Sequence, residues 1–120
     1  MFLVRRLSSI STVSKTMAEA KTKTQSIIDE TAVVVFSKTT CPFCYASKSL
    51  LNHLGARYRS LELDRVRDGS AIQDALEEIS GQRTVPNIYI GKKHIGGNAD
   101  LQAKYEKGEL RNLLAEAGAL

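Results

Sequence analysis

Cys41 and Cys44, with Pro42 and Phe43 between them, are the only cysteines of this chain. Two thiols at C-x-x-C spacing can alternate between a dithiol and a disulfide, and so exchange two electrons with a partner. The pair closes too short a loop to act as a structural crosslink. It also supplies only half the ligands of a closed zinc site. The two histidines, His53 and His94, are singly placed and far apart in sequence; His53 reads as a helix-end residue and His94 as a hairpin residue. A third reading, two inert cysteines buried in a helix, fits poorly with the proline between them and the strand before them.

Redox chemistry needs one thiol held at a helix N-terminus. The segment Ala32 to Ser37 (AVVVFS) is dominated by β-branched residues and reads as a buried strand. A turn follows, and a helix starts at Cys41, with Ala46, Leu50, Leu51 and Leu54 on one face and Gly55 as its stop. At that first turn the unpaired N–H groups and the positive end of the helix dipole favour thiolate over thiol. Thr40 is the expected N-cap, Pro42 loses nothing by lacking an N–H there, and Lys38 adds a nearby positive charge. Cys41 is thereby expected as the exposed nucleophile and Cys44, one turn further in, as the shielded resolving thiol.

The remaining elements follow from pattern. A helix spans 18–30, anchored by Ile27 and Ile28. A second strand runs from Tyr58 to Leu63. Asp68-Gly69-Ser70 offers an N-cap for a helix carrying Ala71, Ile72, Ala75, Leu76 and Ile79, closed by Gly81. Asn87 to Ile90 and Lys93 to Ile95 form a hairpin about Gly91-Lys92. A last helical stretch, 99–117, breaks near Gly108. The order α, β, α, β, α, β, β, α predicts an α/β fold. Its first two strands are parallel through a right-handed crossover, and the hairpin completes a small mixed four-stranded sheet flanked by helices.

The 120 residues suit one domain. Of the net charge of +4, residues 1–17 hold +3 through Arg5, Arg6 and Lys15, with no acid before Glu19. The basic balance is therefore local and gives no support to nucleic-acid binding. The early apolar run, Phe2-Leu3-Val4, is far too short for a membrane span. Residues 1–18 read instead as a leader, rich in Ser and Thr, with Leu3, Leu7, Ile10, Val13 and Met17 on one helical face; that composition suits a mitochondrial transit peptide. Residues 19–120 form the domain. Initiation at Met17 would omit the basic segment, so mitochondrial and cytoplasmic forms are expected from one gene.

Taken together, Lys38-Thr39-Thr40-Cys41-Pro42-Phe43-Cys44, then Thr84-Val85-Pro86, then Gly96-Gly97 with Asp100, resemble a dithiol glutaredoxin across roughly residues 25–115. The stretch Ser70 to Pro86 leans towards fungal members. The resemblance implies a thioredoxin-like fold with Pro86 in cis, leaving the Val85 backbone beside Cys41 to pair with a cysteinyl peptide as an added strand. It implies that the peptide is glutathione, as a co-substrate with no metal required. Lys38 and Gln73 would face its glycine carboxylate. Gly97, Asn98 and Asp100 would meet its γ-glutamyl end, and Pro42, Phe43, Thr84, Val85 and Pro86 would complete the site. Phe43 stands where the family most often has Tyr, and Tyr45 where many members carry a basic residue.

The implied activity is glutathione-dependent thiol–disulfide exchange by a monomer. It acts on glutathionylated and disulfide-containing proteins and is regenerated through glutathione and glutathione reductase. Two alternatives stand beside it. A thioredoxin would carry Trp-Cys-Gly-Pro-Cys, and this chain has no Trp. An iron–sulfur carrier would use Cys41 and glutathione as ligands on a dimer, a role that the stiff Pro42 disfavours.

Overall fold

The valine run of the first strand forms the middle of the molecule. In the computed structural model, which describes the backbone from Phe2 to Leu120 and side chains from Thr16 onward, β1 (Val33–Ser37) is buried at every position. The sheet order is β2-β1-β3-β4, so β1 has a neighbour on each side. β2 (Arg59–Glu62) runs parallel to it, and β3 (Asn87–Ile90) and β4 (Lys93–Gly96) form the antiparallel hairpin. A strand buried on both faces needs a continuous apolar run rather than alternation, and VVVF supplies one.

Alternate residues of β1 divide the core in two. Val33 and Val35 face Leu51 of α2 (Pro42–His53) and its C-cap Leu54, Leu101 of α4 (Asn98–Glu106) and Leu110 and Leu114 of α5 (Leu110–Glu116). Val34 and Phe36 face Ile27 and Ile28 of α1 (Phe2–Glu30) and Ile72 and Leu76 of α3 (Gly69–Ser80). Helices thus cover both faces, as a parallel pair joined by a crossover helix demands. Each fully buried aliphatic or aromatic side chain contributes about 1.5–3 kcal/mol. Of the amphipathic face expected for Leu3, Leu7, Ile10, Val13 and Met17, the first four lie outside the described side chains, and Met17 is exposed.

Two caps differ from expectation. The N-cap of α2 is Cys41, not Thr40: its sulfur accepts the Cys44 backbone N–H at 3.2 Å, taking the place of a hydroxyl, with Pro42 as the next residue. Asp68 does occupy the N-cap of α3, but its carboxylate makes no cap bond. It instead accepts from Lys23 Nζ at 2.6 Å and so ties α3 to α1.

Candidate active site

The end of β1 delivers the chain to the cysteines. Ser37 is its last residue, and the turn that follows is closed by the Cys41 N–H donating to the Lys38 carbonyl at 3.2 Å. Thr39 is held from below: its backbone N–H and its hydroxyl both donate to the Asp64 carboxylate, just after β2. These bonds from the Thr39 side chain and N–H hold the Asp64 carboxyl below the usual carboxylate range. Cys41 is then partly exposed at the helix tip, whereas Cys44 is fully buried one turn on. Burial first, and then the neighbouring Cys41, push the Cys44 thiol up to about 11.

Opposite Cys41, the Val85–Pro86 peptide bond is cis. The Cys41 thiol lies 3.7 Å from the Val85 carbonyl oxygen, within reach of a weak S–H···O bond. The loop carrying Val85 is braced by Gln82, whose side-chain amide donates to the carbonyls of Thr84 (3.1 Å) and Pro86 (3.0 Å). Asn87 adds a second brace by donating to the Gln82 carbonyl, and its own oxygen meets a ring nitrogen of His94 at 3.0 Å. His94 is thus engaged within the sheet.

An open cleft of about 430 Å³ runs from this loop to the start of α4. It is lined by Phe43, Thr84, Val85, Pro86, Gly97, Asn98, Ala99 and Asp100. At its far end the Gly97 N–H donates to Asp100 Oδ2 at 2.9 Å, the carboxylate half of a helix capping box. Gly96 is needed for that closure. Its φ is +117°, and a Cβ there would sit 2.8 Å from the Asp100 carboxyl carbon. The Asn98 side-chain oxygen accepts from the buried Ser47 hydroxyl at 2.9 Å and from Gln102 at 3.3 Å. A peptide with an extended backbone, a thiol in its middle and an amino-acid-like end would find a carbonyl, a reactive sulfur and a helix N-terminus in sequence along this cleft.

The family model for glutaredoxin matches residues 33–95. A glutaredoxin of Ricinus communis is 56% identical over 101 residues, covering 84% of this chain and 99% of that protein. Glutaredoxin-C2 of Arabidopsis thaliana is 50% identical over 101 residues, covering 84% and 91%. The chain belongs to the glutaredoxin family. Its fold agrees with the crystal structure of a buckwheat glutaredoxin–glutathione complex, with a TM-score of 0.87 at 46% identity, covering 88% of this chain and 96% of that one. These relatives are plant proteins, and the fungal leaning expected from Ser70 to Pro86 finds no support among them.

Within this glutaredoxin, seven of the residues expected around a ligand line one cleft: Phe43, Thr84, Val85, Pro86, Gly97, Asn98 and Asp100. Cys41 joins them through Val85. Lys38, Pro42 and Gln73 do not line it. The Gln73 amide donates at 2.8 Å to the Arg83 carbonyl, so it supports the residue before Thr84. Ala99, Gln82 and Asp64 were not legible as site residues, since none belongs to a motif; Gln82 and Asp64 act through side chains that bond other residues of the site loops.

A polar cluster at the end of β1 was also not legible. The β1–β2 register sets Ser37 opposite Glu62. Glu62 Oε1 accepts from Ser37 Oγ at 3.2 Å, from Ser60 Oγ at 3.1 Å and from Lys48 Nζ of α2 at 2.6 Å. Burial alone would raise the Glu62 carboxyl, but its bonds from Lys48, Ser37 and Ser60 outweigh burial and hold it below the ordinary range. A carboxyl lowered in the folded state adds stability above its unfolded value, near 4.3, and loses it as pH falls through the folded value. The urea midpoint is therefore expected to drop as pH falls below about 4.3, and Glu62→Gln is expected to flatten that drop. Urea titrations of both proteins between pH 6 and pH 3 check this; parallel curves would contradict it.

Proposed function

We propose that Cys41 is the nucleophile and Cys44 the resolving thiol of a glutathione-dependent thiol–disulfide oxidoreductase. The chain is a glutaredoxin with both cysteines of the pair, and it acts on glutathione-linked and protein disulfides. The observation that carries the assignment of roles is the difference in exposure: Cys41 is partly open beside Val85, and Cys44 is closed off from solvent.

In the one-thiol route the Cys41 thiolate attacks the glutathione sulfur of a protein–glutathione disulfide. The Cys41–glutathione S–S bond forms, the protein–glutathione bond breaks, and the protein leaves as a thiolate that takes a proton from water. A second glutathione thiolate then attacks the bound glutathione sulfur, giving glutathione disulfide and free Cys41. In the two-thiol route Cys41 enters a mixed disulfide with a protein. Cys44 attacks the Cys41 sulfur, the protein thiol leaves, and Cys41–Cys44 is oxidised; two glutathiones reduce it. Glutaredoxin potentials of about −200 to −230 mV lie near that of the glutathione pool, so the exchange runs in either direction.

Glutathione would lie along the cleft, its cysteine paired with the Val85 backbone and its γ-glutamyl end at Gly97, Asn98 and Asp100. Pro42 and Phe43 flank the sulfur. Lys38 and Gln73 would approach the glycine carboxylate from outside the cleft, Gln73 by leaving Arg83. The enzyme works as a monomer and is returned to the dithiol by glutathione and glutathione reductase. The alternative, an iron–sulfur carrier with Cys41 and glutathione as ligands on a dimer, is not better supported by the relatives. Turnover in an assay coupled to glutathione reductase tests the function: reduction that requires glutathione supports it, and turnover sustained by thioredoxin reductase without glutathione overturns it.

Residues 1–18 serve as a leader, and a start at Met17 yields a second form without it. The acid-free basic stretch before Glu19 supports this reading. Imaging a C-terminally tagged protein with Met17 intact and replaced decides it, since an unchanged split between mitochondrion and cytosol would remove the Met17 start.

A further inference from the structure

Two aromatic rings stand at the tip of α2. Phe43 and Tyr45 are the most exposed large apolar side chains among the described residues, at 66% and 74%. A single exposed ring is ordinary on a protein surface, but these two sit together at the rim of the nucleophile. From Thr39 to Tyr45 the sequence TTCPFCY has no charged residue. Pro42 is exposed beside the two rings. Exposed aromatic side chains with no charge among them have the composition of the centre of a protein–protein contact.

The two rings face different ways. Residues two apart on a helix lie about 200° apart round its axis, and bonds one turn further along α2 fix the sense. Ser47 shares the face of Phe43 and donates to Asn98 at 2.9 Å, so that flank faces α4 and the cleft. Lys48 shares the face of Tyr45 and bonds Glu62 of β2 at 2.6 Å, so that flank faces the opposite edge of the sheet. Phe43 accordingly lines the cleft, and Tyr45 does not. Cys44 is buried between them.

We propose that Tyr45 is a specificity-determining residue for the protein half of the substrate, favouring a target cysteine with an aliphatic or aromatic side chain beside it. Glutathione, lying along the cleft, takes the Phe43 flank of the helix tip. The protein joined to its sulfur then rests on the flank that remains, which carries Tyr45. A neighbouring apolar side chain that covers the Tyr45 ring removes two apolar surfaces from water. A carboxylate in the same place loses hydration and meets no charged partner between Thr39 and Tyr45. The Tyr45 hydroxyl can stay wet at the edge of the contact while the ring is covered.

This inference rests on glutathione occupying the cleft, and the experiment separates the two. Two glutathionylated peptides, alike except for a leucine or an aspartate beside the cysteine, are compared in the coupled assay. The mixed disulfide of glutathione and mercaptoethanol, which has no protein half, serves as the third substrate. No turnover of that small disulfide by the wild type would refute the glutathione reading itself. The wild type is expected to favour the leucine peptide by about fivefold to tenfold in kcat/KM, the worth of covering roughly half of a large apolar side chain. Tyr45→Ala should abolish most of that preference, through a higher KM for the leucine peptide, and should turn over the small disulfide at the wild-type rate. Tyr45→Phe, which keeps the ring, should keep the preference. Tyr45→Lys should reverse it in favour of the aspartate peptide. An unchanged preference in Tyr45→Ala would overturn the assignment, as would an equal fall on all three substrates.

Discussion

Cys41→Ser is expected to lower glutathione-coupled turnover by at least about a thousandfold, because no other group can form the covalent intermediate. Cys44→Ser is expected to cost no more than a few fold with a protein–glutathione disulfide as substrate. The asymmetry comes from placement. Cys41 caps α2, receives the Cys44 N–H on its sulfur and faces the Val85 carbonyl at the mouth of the cleft. Cys44 lies behind it, fully buried, and can reach a substrate only after Cys41 has bound it. The same Cys44→Ser variant should fail to release proteins trapped as mixed disulfides with Cys41, so it should accumulate them. Steady-state rates of the two variants, read beside non-reducing gels, check both halves. If Cys44→Ser is as inactive as Cys41→Ser, the one-thiol route is wrong.

The largest expected stability loss lies far from the sulfurs. Gly69 opens α3 against the last residue before the Asp64 loop. A Cβ added there would lie 2.8 Å from the Leu63 carbonyl carbon and closer still to its oxygen. Both are backbone atoms, so no side chain can swing aside and either α3 or β2 must move. Gly69→Ala is therefore expected to cost about 2–3 kcal/mol, the upper part of the range for overpacking. Gly55→Ala is the control. Nothing lies within 4 Å of a Cβ there, but its φ of +73° is strained for alanine, and a loss of about 1 kcal/mol is expected. Urea unfolding of both variants separates crowding from backbone strain; equal losses would contradict the steric account. Since Asp64 follows Leu63 and holds Thr39, Gly69→Ala should also lower turnover in the folded fraction.

What the chain discloses in advance depends on whether an element is local. β1 was legible because four consecutive apolar residues, three of them β-branched, need two covered faces. α2 was legible through its proline and Gly55, and the hairpin through Gly91-Lys92. The parallel pairing of β1 and β2 followed from the helix between them. The antiparallel contact of β1 with β3 did not, because nothing in either strand names its partner. The cap of α2 went to Cys41 rather than Thr40 because a cysteine sulfur can accept an N–H as a hydroxyl oxygen does.

The site divides the same way. Residues in the cysteine, Thr-Val-Pro and Gly-Gly segments are contiguous motifs, and most of them meet in one cleft. Gln73 is drawn to a backbone carbonyl ten residues away, a contact set by the turn after α3. Ser37, Glu62 and Lys48 come together only through strand register and the reach of a helix, so each alone reads as an ordinary polar residue.

The claim at the centre of this account is that Cys41 alone receives the glutathione moiety. Peptide mapping by mass spectrometry addresses it directly, on protein quenched in acid during the first turnovers with a protein–glutathione disulfide. The expected result is a single glutathionyl group on Cys41, in the wild type and in Cys44→Ser alike, with none on Cys44. A glutathionyl group on Cys44 while Cys41 stays free would contradict it.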